Sequence, residues 1–261
     1  MLTQWRQRWS ARREDAAVAR KPIRDDLWKR TLQRYPFLRR RAPADAAALR
    51  RMTSLFLDRK QFDAAPGVRL TDDVAVAVAA QACLPVLHLG LAAYDGFVGI
   101  VLHPDAVVAR RTVTDDDGVV HEYDEVLSGE AMEGGPVMLS WRDVRSAGRS
   151  AADAYNVVIH EFAHVLDMAD GVANGVPRLP AELPAAEWQA ALTAEYQNFV
   201  ARVQAGAETA LDPYGAEAPE EFFAVASEAF FVSPQAMKAE HPALYGVFVR
   251  FYRQDPVEEL P

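Results

Sequence analysis

The chain has 261 residues, with 28 Lys and Arg against 37 Asp and Glu, a formal net charge of −9 and a pI near 5.2; that balance excludes a general nucleic-acid binder. Half of the residues are hydrophobic and a quarter charged, the make-up of a soluble globular chain long enough for a sizeable core. The single cysteine, Cys83, excludes an intrachain disulfide and fits a reducing compartment such as the cytoplasm.

Charge is uneven along the chain. Residues 1–60 hold 17 basic and 6 acidic side chains, a net of +11, which leaves −20 for the rest. They read as a basic, helical N-terminal segment, either solvated or docked on an acidic partner or on the acidic remainder of the chain. Residues 61–261 read as one compact domain. The opening "MLTQWRQRWSARRED" has charge without an apolar run behind it, so it is not a secretory signal. The spacing of Leu27, Trp28, Leu32 and Tyr35 predicts a helix in "DDLWKRTLQRY"; Leu49, Met52, Leu55 and Phe56 predict another in "PADAAALRRMTSLFLDRKQF". Thr71 ahead of Asp72 and Asp73 is an N-cap with an acidic first turn, opening a helix expected to end near Cys83, before Leu84-Pro85. Residues 74–93, "VAVAVAAQACLPVLHLGLAA", lack Asp, Glu, Lys and Arg over 20 positions, a length that can span a bilayer. Gln81, Pro85 and His88 in the middle and acidic residues at both ends favour a buried helix-break-helix instead.

The texture changes after Gly96. "FVGIVLHP", "VVHEYDEV" and "GGPVMLSW" read as short strands. A helix follows from about Ala151 to Ala169, closed by Asp170-Gly171. Beyond a Pro- and Gly-rich loop, "AAEWQAALTAEYQNFVARVQAG", "EFFAVASEAFF" and "HPALYGVFVRFYRQDP" read as three more helices. Helices, a small sheet, then helices is an α+β order, not a series of βαβ units.

The third of these stretches of chain carries "NVVIHEFAHVLDMADG", residues 156–171. His160 and His164 are four apart on the predicted helix, hence on one face. Both imidazoles can reach one ion at about 2.0–2.1 Å. Glu161 lies about 100° around the helix, placed to take a proton from a water on such an ion and return it to a leaving amine. This is the His-Glu-x-x-His arrangement of zinc metalloproteases. Burying these groups in an otherwise apolar helix is costly without a use for them.

A catalytic site of this kind needs a third protein ligand, with the fourth position left to water. Asp170 stands where a metzincin has its third histidine, so the ligand is expected to be a carboxylate on a later helix: Glu182, Glu187, Glu195, Glu220, Glu221 or Glu228. Glu221 is favoured, because it opens a markedly apolar helix behind Pro219 and can face inward. Glu228, two turns on along the same face, is either a partner for a ligand histidine or a carboxylate at the core edge. Tyr214 either donates to the oxyanion of a tetrahedral intermediate or packs as an ordinary tyrosine. Asp167 either orients an imidazole or pairs with an arginine. Cys83 and His88 lack the third group of a nucleophilic site. His88, His103, His121 and His241 have no paired spacing and read as structural. "FVGIVLHP" or "GGPVMLSW" is the strand expected to offer an edge for an extended peptide.

"HEFAHVLDM", "YGAEAPEEFFAVASEAFF", "AAQACLPVLHLG" and "GGPVMLSW" together resemble the Mlc titration factor A family of bacterial zinc peptidases, over roughly residues 50–256. The catalytic core also resembles lethal-factor-type metalloproteases. The resemblance implies a zincin-like fold, mostly helical, with a small mixed sheet beside the active-site helix. It implies one Zn2+ per chain on His160, His164 and Glu221, with Glu161 as general base and Tyr214 as transition-state stabiliser. It implies aminopeptidase-like activity on a peptide or protein substrate, and binding of a DNA-bound, sugar-responsive transcriptional repressor, with no direct nucleic-acid contact and no membrane. The rival reading is a repressor-sequestering protein whose zinc site is auxiliary. Where the family pattern has Thr-Asn before Pro-x-Glu, this chain has Glu217 and Ala218, which leaves Glu221 in place but alters the hydrogen-bonding groups of the loop.

Overall fold

The computed structural model describes residues 12–114, 120–149 and 154–258. A helical stretch over residues 12–20 (α1) precedes α2 (Asp25–Arg34) and α3 (Pro43–Arg59). The Thr71 hydroxyl accepts from Val74 N and so starts α4 (Asp72–Cys83), whose Val and Ala side chains are almost all buried. Among the described residues no helix is long and apolar enough to cross a membrane. The 74–93 stretch is a buried helix followed by turns and a short 3-10 helix at Leu91–Tyr94.

A four-stranded sheet has the order β1 (Gln61–Ala64), β2 (Gly99–His103), β6 (Val137–Ser140), β5 (Gly129–Ala131). The first three strands are parallel and β5 is antiparallel to β6, so the sheet is mixed and the fold is α+β. Ile100 pairs with Val137 and Leu102 with Leu139, and this alternating apolar face is fully buried. A separate antiparallel ribbon, β3 (Val107–Thr114) with β4 (Val120–Leu127), lies between β2 and β5 in sequence. The two strands expected to offer an edge, β2 and β6, are both interior; the edges are β1 and β5. β1 begins inside the stretch "PADAAALRRMTSLFLDRKQF" expected to be helical; it forms a strand because Gln61–Ala64 pairs with Gly99–Leu102.

α5 (Trp141–Ser146) leads to α6 (Val157–Asp167), then α7 (Ala185–Gln204), α8 (Pro219–Val232), α9 (Pro234–Glu240) and α10 (Pro242–Tyr252). α6 starts later than composition implies, and residues 150–153 of the expected helix lie outside the described residues. Ala154 has φ +56, and Asn156 caps α6 by accepting from Ile159 N at 3.0 Å. A left-handed residue and an Asn cap override the helix propensity of alanine. α6 packs against α8, and β5 lies alongside it. Ile23, Trp28 and Phe56 from the first sixty residues join the same buried cluster as Phe162, Trp188 and Phe230.

Candidate metal centre

Most of α6 is apolar. Val158, Ile159, Phe162, Ala163 and Leu166 are buried in the core, and Phe162 packs on Tyr94 and Phe97 with ring centroids 5.0 and 5.3 Å away. The remaining face presents His160 and His164 to the first turn of α8, where Pro219 at the helix start leads into Glu221. Three atoms converge there. His160 Nε2 is 3.1 Å from Glu221 Oε2 and 3.2 Å from His164 Nε2, and His164 Nε2 is 3.4 Å from the same Glu221 oxygen. Ligand atoms about 2.0–2.1 Å from a tetrahedral zinc stand about 3.3–3.4 Å apart, so this triangle has the size of one face of such a site. Among the described residues, these three form the one group of His, Cys, Asp and Glu donors close enough to share an ion.

The proton positions reinforce the fit. His160 Nδ1 is 2.8 Å from Glu228 Oε1, and a carboxylate beside Nδ1 makes that nitrogen the donor. Nε2 is then a lone pair facing Glu221 Oε2, itself a lone pair, and two acceptors in contact need a positive charge between them. In the metal-free chain a proton on His160 supplies that charge. Burial favours the neutral His160 ring, yet its bonds to Glu221 and Glu228 overcome this and raise it well above its usual range. Burial favours the neutral Glu221 carboxyl, yet the two imidazoles bring it down to about 2. The cluster favours a positive charge at its centre, a proton or a metal cation.

Glu228 is itself held. Its second oxygen accepts Asn156 N, and Asn156 Nδ2 donates to Gln81 Oε1 at 2.9 Å. Gln81, Asn156 and Glu228 are all buried, so a polar chain runs from α4 to the His160 ring. Neither Gln81 nor Asn156 stands out in the sequence as a partner of His160, since 75 residues separate them from each other.

Glu161 points from the neighbouring face of α6, against β5. A Cβ at Gly129 would lie 2.4 Å from Glu161 Oε1, so glycine is the residue that leaves room for this carboxylate. Burial raises Glu161 to about 7, against the pull of His160 and His164. Glu161 and His160 line a cavity of about 330 Å³ with Ser128, Gly129, Tyr155 and Tyr214. Tyr214 sits in a 3-10 turn, Pro213–Ala216, capped by Asp212, with its ring centroid 6.0 Å from that of His160. A larger groove of about 790 Å³, lined by Met132, Val165, Met168 and Leu179, contains none of the five expected site residues.

Three of the other candidate carboxylates are engaged elsewhere. Glu182 pairs with Arg253, Glu187 with Arg250, and Glu195 with His241. Among the described residues Asp167 pairs with no arginine; its Oδ2 accepts Asn174 N and Gly175 N at 2.9 and 2.8 Å. Asp170 accepts from Val172 N and finishes the helix end. Cys83 is buried, and burial pushes its thiol up, away from nucleophilic use.

A family model described as glucose-regulated metallo-peptidase M90 matches residues 5–253. An uncharacterized protein of Synechocystis sp. is 38% identical over 232 residues, 88% of this chain and 84% of its own length. Mlc titration factor A of Klebsiella pneumoniae is 36% identical over 236 residues, 89% of this chain and 88% of its own. Mlc titration factor A of Edwardsiella ictaluri is 41% identical over 196 residues, 74% of each chain.

Proposed function

The chain belongs to the glucose-regulated metallo-peptidase family, and on that premise we propose that it is a zinc-dependent peptidase with a zincin-like site, hydrolysing peptide bonds in the cytoplasm. The observation that carries this reading is the triangle of His160 Nε2, His164 Nε2 and Glu221 Oε2, whose edges suit zinc. The bound ion would polarise the scissile carbonyl and acidify a water. Glu161 takes the proton of the attacking water and passes it to the leaving amine. Tyr214, at the mouth of the same cavity, donates to the oxyanion. Glu228 fixes the His160 tautomer and so keeps Nε2 available as a ligand. The acidic lining of the cavity, with Glu161, Asp212, Glu217 and Glu228, suits a substrate amino group and supports an aminopeptidase-like preference.

The test is cleavage of a peptide panel by wild type and Glu161→Gln, with and without chelator. Zinc is expected to stay near one per chain in the variant while kcat/KM falls about 10²–10⁴-fold. Equal cleavage by the two proteins would show that Glu161 is not the base. A second reading rests on the name of the relatives, Mlc titration factor A. It holds that this chain also binds a DNA-binding transcriptional repressor. Pull-down of a repressor by Glu161→Gln as well as by wild type is the expected result, and loss of capture in that variant would tie binding to catalysis.

A further inference from the structure

We propose that Asp167 and Gly175 are positioning residues that set the distance between the helix carrying His160 and His164 and the helix carrying Glu221. The proposal rests on the reading of those three side chains as a metal site. α6 and α8 run antiparallel, so the C-terminal end of α6 lies beside the first turn of α8. At the other end the two helices are tied directly, by Glu228 to Asn156 and His160. At this end the side-chain contacts between them are those of the site itself, His160 and His164 with Glu221. The tie runs through the loop that follows α6.

Asp167 is the last residue of α6, three positions after His164, and is fully buried. Its Oδ2 accepts the backbone N–H groups of Asn174 and Gly175, which folds the loop back under the helix end. Gly175 O accepts the indole N–H of Trp188 at 3.0 Å, which fixes the same residue from the α7 side. Gly175 has φ +76, and a Cβ there would lie 2.7 Å from Pro219 O. Gly175 therefore seats its backbone directly on the first residue of α8. Glu221 follows two positions later. His164, Asp167, Gly175, Pro219 and Glu221 form one short mechanical path from ligand to ligand. A shift of the loop moves the Glu221 oxygen relative to the two imidazoles, whose contacts with it are 3.1 and 3.4 Å long.

The experiment measures zinc affinity of the full chain by competition with a chromogenic chelator, at a temperature well below unfolding, beside the melting temperature of each variant. Asp167→Ala and Gly175→Ala are expected to weaken zinc binding about 10–100-fold. Asp167→Asn keeps one oxygen for both amides while removing the charge, and is expected to stay within about threefold of wild type. Where Gly175→Ala does not fold, Trp188→Phe deletes only the indole donor to Gly175 O and is expected to weaken zinc by about threefold or more. Lowered melting temperatures with unchanged zinc affinity in Asp167→Ala and Trp188→Phe would overturn the proposal, since the loop would then serve stability alone. Equal weakening in Asp167→Asn and Asp167→Ala would also overturn it, because charge and not position would be responsible. Glu221→Ala is the control for the underlying reading. Full zinc affinity in that variant sinks the metal site itself, a result distinct from either of the others.

Discussion

His160 and His241 are two shielded imidazoles, each facing two glutamates, in surroundings that differ in kind. His241 is fully buried; its Nδ1 is 2.8 Å from Glu195 Oε2 and its Nε2 3.4 Å from Glu240 Oε1. Glu240 is already held by Arg202 at 2.7 Å and accepts Ala210 N. There the chain supplies its own positive charge, and the carboxylates point outward to different donors. At His160 the lone pairs point inward to one spot, and among the described residues the ion pairs of Glu221 are with the two imidazoles alone. The residue types are the same. What separates a structural cluster from a metal centre is the direction of the lone pairs and the source of the balancing charge.

Exchange of the two clusters' fates is the largest test of this contrast. Glu221→Ala is expected to lower zinc from near one per chain to near zero, with affinity weakened on the order of 10³-fold. His241→Ala is expected to keep its zinc and lose about 3 kcal/mol of stability, because Glu195 is left shielded without its partner. Metal analysis and urea unfolding read the two effects, and zinc loss in His241→Ala would erase the distinction.

Titration gives a sharper version of the same contrast. In metal-free protein, burial raises Glu161 from an ordinary 4.5 to about 7. Between those values the folded chain holds a proton that the unfolded chain has released, so stability falls as pH rises from about 4.5 to about 7. The loss is about 3 kcal/mol across the window. Glu161→Gln cannot ionise and is expected to remove that part of the slope. Urea midpoints at pH 4.5, 6 and 7.5 measure it, and an unchanged slope in the variant would place the unbalanced charge elsewhere.

How much of this was legible in the sequence differs between the two helices. The His160–His164 pair is local, so helical periodicity alone puts both on one face. Glu228 is also local to Glu221, two turns along α8. The Glu221 assignment leaned on the apolar texture of α8 and on the family resemblance, and the structure does bring this carboxylate to the imidazoles. What the sequence hid is long-range. Gly129-Glu130-Ala131 has no β-branched residue to mark a strand, yet it forms the edge of the sheet because β6 pairs with it. For the same reason β2 and β6 looked like edges when both are interior. Gln81 and Asn156 are unremarkable until folding stacks α4 beside α6.

Gly129 offers a test in which geometry changes while the composition of the centre does not. Gly129→Ala would put a Cβ 2.4 Å from Glu161 Oε1, and the carboxylate must move to make room. Zinc is expected to remain bound, because a Cβ at Gly129 meets Glu161 and none of His160, His164 and Glu221. Peptidase kcat/KM is expected to fall on the order of 10²-fold, the effect of about an ångström of misplacement. Full activity with the methyl present would mean that Glu161 does not need its place against β5.

The smallest expected effect lies at the start of α8. Ala218 occupies the N-cap with extended dihedrals, φ −155 and ψ 158, and offers no side-chain acceptor to the first turn. The helix carrying Glu221 is therefore less finished at its end than the His241 cluster, where Glu240 accepts the backbone N–H of Ala210. Ala218→Asn supplies an acceptor for the N–H of Glu220 or Glu221 and is expected to add about 1 kcal/mol. For a chain of this size that raises the melting temperature by about 2–4 °C. Zinc affinity is expected to change less than twofold, because Pro219 already fixes the first turn and the loop at Gly175 already seats it. A gain in zinc affinity larger than the gain in stability would show that the uncapped end lets Glu221 wander, and that the cap belongs to the site as well as to the helix.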